Sequence, residues 1–267
     1  MTVTDPGRAH LITGGFPPGS MSGHDHDYVR MRLLTLLAER DIAASVANDF
    51  ADVEKWLPTS RLLISYVAGP YPNAAQCAAM RSWLEGGGRW LALHGTSGGR
   101  ATRVEGVRNR RSVTTEHHAL LGSRFLTHPP VCEFRVEVKD ADSPLTRGLG
   151  RSFVIEDEPY FIELLDPAAT RILLTADYGA AGEWPVVNTL YGADTSLQSD
   201  GKSRVLGYSR DVGTGGIAYF AFGHCHNPAI HATRGRDDKT PPIFRAPWET
   251  SGFLTLLRNA IAWGVRI

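Results

Sequence analysis

GGGRWLALHGTS, residues 86–97, decides how this chain is read. Three successive glycines stop the helix before them, because glycine accepts the left-handed turn that ends a helix. The next five residues, Arg89 to Leu93, are nearly all apolar, as a strand is when helices cover both faces of its sheet. His94-Gly95 follows at the carboxyl end of that strand, where open α/β sheets bind their ligands. Just upstream, Asn73 is placed to cap a helix and Gln76 to close a capping box, so a helix is predicted from there to Glu85.

The same alternation extends back to the start of the chain. Ala9 to Thr13 reads as a strand running into Gly14-Gly15, Tyr28 to Arg40 as a helix, and Ile42 to Val46 as a second strand. Val53 to Leu57 is a short helix that Pro58 ends, and Arg61 to Val67 is a third strand. Strand, helix, strand in this order predicts β-α-β units and a parallel sheet. From Val131 onward the runs become strand-like and hairpin-like, with a turn at Asp211 to Gly215 and a closing helix from Gly252 to Trp263. Two glycine- or proline-rich stretches interrupt this half, Tyr178 to Trp184 and Asn227 to Pro247; the second carries no obvious element, and connections of that length tend to line a site or a subunit contact. No linker divides the halves. One domain over residues 1–267 is expected: α/β, a flavodoxin-like three-layer sandwich with a mostly parallel central sheet and antiparallel additions in the second half.

Composition narrows the function classes. Lys+Arg and Asp+Glu are both 28, so the net charge is zero, and the chain has no general attraction for a polyanion. Arg108-Asn109-Arg110-Arg111 is read as a solvated loop or subunit contact before it is read as an anion site. No apolar run approaches a membrane span, and no secretory leader is visible. Three cysteines at unrelated spacings give no disulfide framework and suit a reducing compartment, so the cytoplasm is expected.

The chemistry is carried by histidines and carboxylates at predicted strand ends. These are His24 and His26 with Asp27, His94, His117-His118, His128-Pro129, Glu156-Asp157-Glu158, and His224-Cys225-His226. In extended chain alternate residues share a face, so His24-x-His26 and His224-x-His226 are each a candidate pair of metal ligands or hydroxyl-binding donors. They are equally a pair that ties down the loops beside them, since zinc needs three or four converging ligands that spacing alone cannot supply. The signature H-x-H-x-D-H of metallo-hydrolases is excluded, because Tyr28 and Val29 stand where its second Asp and His belong. The strand, the His-Gly turn and an expected helix after His94 resemble a nucleophile elbow whose tip is an imidazole suited to proton transfer. A buried histidine fixed by backbone carbonyls is the plainer alternative. Adjacent strand residues face opposite ways, so only one of Asp157 and Glu158 enters a pocket, and Glu158 is preferred.

Taken in order, several segments resemble the ThuA-like (trehalose utilisation) family, whose members resemble the class I glutamine amidotransferase fold. They are Gly14-Gly15-Phe16 with His26-Asp27, Gly86 to Gly95, Leu121 to Phe125 with His128-Pro129, Pro144 to Leu149, Phe153 to Tyr160, and Gly213 to Tyr219 leading to His224. The resemblance implies an amidotransferase-like core in which His94 stands where the nucleophilic thiol would be, so glutamine hydrolysis is not expected. It also implies use of trehalose or a related keto-disaccharide, with a partner sugar dehydrogenase supplying keto-sugars. Departures at Ser143, at Pro159 and at the Gly213-Thr214-Gly215-Gly216 turn mark a divergent member whose substrate need not be trehalose.

Two functions follow as expectations. One is a sugar-active hydrolase, lyase or isomerase using His94, Glu158 and His224 catalytically, with His26, Asp27, His128, Asp157, Tyr160 and His226 binding substrate. A divalent metal such as zinc is its candidate cofactor. The other is a non-catalytic carbohydrate-binding or assembly protein, with Trp184, Tyr191 and Trp248 offering aromatic faces. Homo-oligomerisation is expected in either case, and nucleic acid and membrane are not expected as partners.

Overall fold

The computed structural model describes residues 7–14, 23–99, 101–102, 111–178, 193–228 and 241–265. Its strands are β1 (Arg8–Gly14), β2 (Ala43–Ala47), β3 (Leu62–Val67), β4 (Arg89–Leu93), β5 (Ala101–Thr102), β6 (Arg111–Ser112), β7 (Ser123–Thr127), β8 (Cys132–Val138), β9 (Ser152–Asp157), β10 (Phe161–Leu164), β11 (Arg171–Asp177), β12 (Arg204–Val212) and β13 (Gly215–Phe220). Its α-helices are α1 (His26–Ala38), α2 (Val53–Trp56), α3 (Ala74–Glu85), α4 (Glu116–Leu121), α5 (Ala246–Glu249) and α6 (Ser251–Val265).

Local chemistry explains the elements that place the site. Helix α1 starts where the Asp25 side chain accepts a hydrogen bond from the Tyr28 amide at 3.2 Å. Its Val29, Leu33, Leu36 and Leu37 form one buried stripe. Helix α3 opens on the expected capping box, the Asn73 and Gln76 side chains each bonding the other's amide at 2.9 Å. Strand β3 (LLISYV) is buried along its whole length, as a strand covered on both faces should be.

A nine-stranded sheet runs in the order β2-β1-β3-β4-β13-β12-β11-β8-β9. The first five strands pair in parallel and the remaining pairings are antiparallel, so the change of direction falls between β13 and β12. Helices α1 and α6 pack on β1, β3 and β4, whereas α3 packs on β12 and β13 with α2 and α4 beside it. Two short sheets, β7 with β10 and β5 with β6, lie outside the main one. The antiparallel additions of the second half are as expected, and their far edge, β9, leads directly into Glu158.

Two expectations change. The segment after β4 is a single 3-10 turn, His94–Ser97, rather than the helix of an elbow. His117 and His118 belong to α4 instead of a strand end, and both are buried. Among the described residues, no helix is long and apolar enough to cross a membrane.

Candidate functional site

Strand β4 ends at Leu93, and His94 turns the chain with a φ of 42°, a left-handed conformation that non-glycine residues rarely hold. The turn is held by its carbonyls. Tyr219 Oη donates to the His94 oxygen at 2.9 Å, Tyr71 Oη to Gly95 at 3.1 Å, His117 Nε2 to Thr96 at 2.6 Å and His118 Nε2 to Gly98 at 3.0 Å. Gly95 cannot carry a side chain, because a Cβ there would sit 2.5 Å from the Val67 oxygen. His117 and His118 therefore shape the turn that presents His94 and take no part in the pocket.

The His94 side chain is fully buried, and neither ring nitrogen makes a hydrogen bond. Burial holds its imidazole well below the usual range, and His128 and His26 add to the effect; the nearby Ala221 carbonyl favours a proton but lies outside bonding geometry. The ring is therefore neutral, with a lone pair to offer.

Three further groups converge on it. Glu158, just past β9, places Oε2 at 3.9 Å from His94 Nε2 and 3.3 Å from His224 Nδ1. His224 follows β13, and His24 precedes α1, with its ring centroid 5.0 Å from that of His94 and 5.1 Å from that of His224. One donor atom from each of His24, His94, Glu158 and His224 lies within 4.8 Å of every other. Three imidazoles and a carboxylate are the donor set that zinc and related divalent ions take.

Around this cluster the other candidates take distinct positions. Tyr160 lays its ring 3.8 Å from that of His94 and points its hydroxyl to His24 Nε2 at 3.4 Å. His128 contacts Glu158 Oε1 through Nδ1 at 3.0 Å and stacks over Tyr160 and Phe125; its side chain is 34% exposed, the outward-facing edge of the group. His226 meets His224 ring to ring, Nδ1 to Nε2, at 2.9 Å. His26 lies behind His24 against Tyr66, its imidazole lowered to about 4 chiefly by burial.

Two further candidates also point away from the cluster. Asp157 is buried, and its carboxylate accepts the amide hydrogens of Glu158, Gly223 and His224, so it fastens the end of β9 to the segment after β13 and presents nothing to a ligand. Burial pushes that carboxyl up to about 8 against the opposing pull of the three amides. Asp27, 91% exposed, pairs with Arg30 on the outer side of α1. Trp248 is no sugar platform either: it is buried and donates Nε1–H to the Gly223 carbonyl at 2.9 Å. Trp184 and Tyr191 lie outside the described residues, as do Phe16 and Arg108 to Arg110.

His24, which the sequence offers only as half of the His24-x-His26 pair, is the member of that pair that joins the cluster. Its signal was its place immediately before Asp25, the residue that caps α1. The thiols contribute nothing nucleophilic: burial pushes Cys77 and Cys132 up to about 11 and Cys225 up to about 12.

A family model described as ThuA, trehalose utilisation, matches residues 20–235. No curated protein matches the sequence. Among solved structures, a putative ThuA-like protein from Parabacteroides merdae superposes with a TM-score of 0.62 at 16% identity, over 98% of this chain and 90% of that one. A second, from Bacteroides uniformis, gives 0.59 at 16% identity, over 96% and 91%. A β-galactosidase from Rahnella sp. R3 gives 0.51 at 12% identity over 82% of this chain but 29% of the enzyme, so a similar fold occurs there as part of a larger protein.

Proposed function

This chain belongs to the ThuA family, and from that premise we propose that it is an enzyme of carbohydrate utilisation acting on trehalose or a related keto-disaccharide. In this reading His24, His94, Glu158 and His224 hold a divalent cation such as zinc. The observation that carries it is His94: a buried imidazole, kept neutral, with both ring nitrogens lacking hydrogen bonds and three other donor groups converging on it. A bare buried nitrogen is costly unless something binds it.

A cation bound there would polarise a carbonyl or hydroxyl oxygen of the sugar as a Lewis acid. The chain's own residues do the remaining work. His128 Nδ1 lies 2.9 Å from the Pro129 carbonyl and 3.0 Å from Glu158, both acceptors, so that nitrogen carries a hydrogen and Nε2 is the one left for proton exchange. His128 is thus the acid–base group at the open edge of the cluster, placed to pass a proton between a sugar carbon or hydroxyl and solvent. Phe125 and Tyr160 form an aromatic shelf beneath it for the apolar face of a sugar ring. Hydrolysis, elimination and isomerisation beside a carbonyl all draw on this set. Glutamine hydrolysis does not, for want of a competent thiol.

The strand order β2-β1-β3-β4-β13, all parallel, supports the finer fold reading of a flavodoxin-like, amidotransferase-like core, with the site at its carboxyl edge. Keto-sugar supply by a partner dehydrogenase, self-association and a cytoplasmic setting complete the proposal; three free cysteines agree with that setting.

The test is elemental analysis of purified protein beside a His94→Ala, His224→Ala double variant, followed by a turnover screen on disaccharides and their keto forms. Stoichiometric metal in the wild type, lost in the variant, with turnover of a keto-disaccharide, is expected. Wild type that refuses added zinc overturns the metal reading. A metal-loaded protein that binds such sugars without turning them over is instead a carbohydrate-binding protein.

A further inference from the structure

Beyond the four converging groups, one chain of contacts leads away from the pocket and has a direction. Glu158 Oε2 faces His224 Nδ1 at 3.3 Å, His224 Nε2 faces His226 Nδ1 at 2.9 Å, and His226 Nε2 faces the Pro241 carbonyl at 2.9 Å. A carbonyl oxygen only accepts, so His226 Nε2 must carry a hydrogen. In neutral His226 the other nitrogen, Nδ1, then bears the lone pair, and the hydrogen shared by the two rings belongs to His224 Nε2. His224 Nδ1 is left with a lone pair, and it points at a carboxylate oxygen that also has only lone pairs to offer. Two acceptors at 3.3 Å repel each other unless a positive charge lies between them or nearby.

The geometry points to His226 as a positioning residue: fixed by the Pro241 carbonyl, it sets His224 as the Nε2–H tautomer and so turns the Nδ1 lone pair of His224, with Glu158, toward a divalent cation. This inference rests on the metal reading of the pocket and assigns His226 a place outside the substrate's reach. The backbone supports it. His226 and Phe244 exchange amide–carbonyl bonds at 3.0 and 3.1 Å, and the two rings stack with centroids 5.7 Å apart, so His226 is held by main chain, ring and carbonyl together. Metal-binding histidines characteristically use their second nitrogen in this way, and losing such an outer partner typically costs about 10–100-fold in metal affinity.

Two readouts test it. The first is zinc affinity by competition with a chromogenic chelator, for wild type, His226→Phe and His226→Asn. The second is the nitrogen chemical shifts of the imidazoles in metal-free protein, which report the tautomer without reference to activity. Expected are a 10–100-fold loss of affinity in His226→Phe, partial recovery in His226→Asn, whose amide oxygen can accept from His224, and Nε2–H on both His224 and His226 in the wild type. Zinc bound equally tightly by wild type and a folded His226→Phe overturns the inference and leaves the pocket reading standing. Wild type that takes no zinc defeats the pocket reading itself. In that case the cation-positioning role falls with it, and the nitrogen shifts decide only the tautomer: a proton on His224 Nδ1 defeats that assignment too.

Discussion

His24-Asp25-His26 and His224-Cys225-His226 have the same spacing and meet in space, yet they are built differently. Their middle residues bind each other directly, the Asp25 amide donating to the Cys225 carbonyl at 2.9 Å and the Cys225 thiol to the Asp25 carbonyl at 3.6 Å. In each segment the first histidine enters the cluster and the second does not. The reasons differ: His26 is the first residue of α1, so the helical turn carries it aside, whereas His226 forms a bridge with Phe244 and is drawn toward Pro241. Equal spacing thus produces unequal roles, because neither segment is the regular strand on which a two-residue period rests.

Glu158 is the acidic group in the cluster, and replacing it removes the charge that both segments need. Glu158→Gln is expected to lower zinc affinity by more than about 100-fold, the upper end of what an outer-shell partner costs, and turnover with it. Isothermal titration of wild type and variant decides the matter; unchanged affinity breaks the account of both segments at once.

The comparison sharpens within the first segment. His24→Ala is expected to reduce metal affinity at least about tenfold more than His26→Ala, measured in the same titration. Equal losses mean that the two histidines share the role, and that the helix does not carry His26 aside.

A histidine remote from both segments provides the control on acid stability. His10 is buried beside Ser45 at 2.8 Å, and desolvation chiefly lowers it to about 4 from 6.5. The unfolded chain binds its proton first as pH falls, so the stability His10 contributes is complete above pH 6.5 and is lost between 6.5 and 4. That loss should be roughly 3 kcal/mol and absent in His10→Phe, as read from urea unfolding at both pH values. Parallel pH slopes in the two proteins argue that the acid sensitivity lies elsewhere, in the segments themselves.

The smallest effects concern the acidic residues flanking His26. Asp25→Ala removes the cap of α1 and the ion pair to Arg245, and should cost about 1 kcal/mol. Asp27→Ala, on the solvent side, should stay within about 0.5 kcal/mol. Thermal melts that reverse this order place the wrong aspartate in the structural role.

The sequence shows the parallel half of the sheet well and the pocket only in part. Strand β4 matches its predicted bounds, and α3 its start and capping box, because both depend on contacts a few residues apart. The nomination of Glu158 over Asp157 follows from strand alternation; in the structure the Asp157 carboxylate turns to the backbone amides of Glu158 and His224. Less legible is whatever depends on distant chain. That His24 enters the cluster in place of His26 is decided by where α1 begins and by Cys225, two hundred residues away. Trp248 looks like a free aromatic on a loop, but it is consumed by the Gly223 carbonyl in the interior. The elbow helix is replaced by one tight turn because the carbonyls of residues 94, 95, 96 and 98 are taken up by Tyr219, Tyr71 and the α4 histidines.

The bond between Asp25 and Cys225 has a consequence for how the protein is made. Contacts this far apart in sequence are slow to form, since a very long loop must close before any reward is gained. On the ribosome, the first histidine of the cluster waits through most of synthesis for its counterpart, while β1 to β4 can already assemble around it. A nascent chain halted before residue 224 would own the strands of the sheet but not the completed cluster, which closes only when the segment after β13 has emerged.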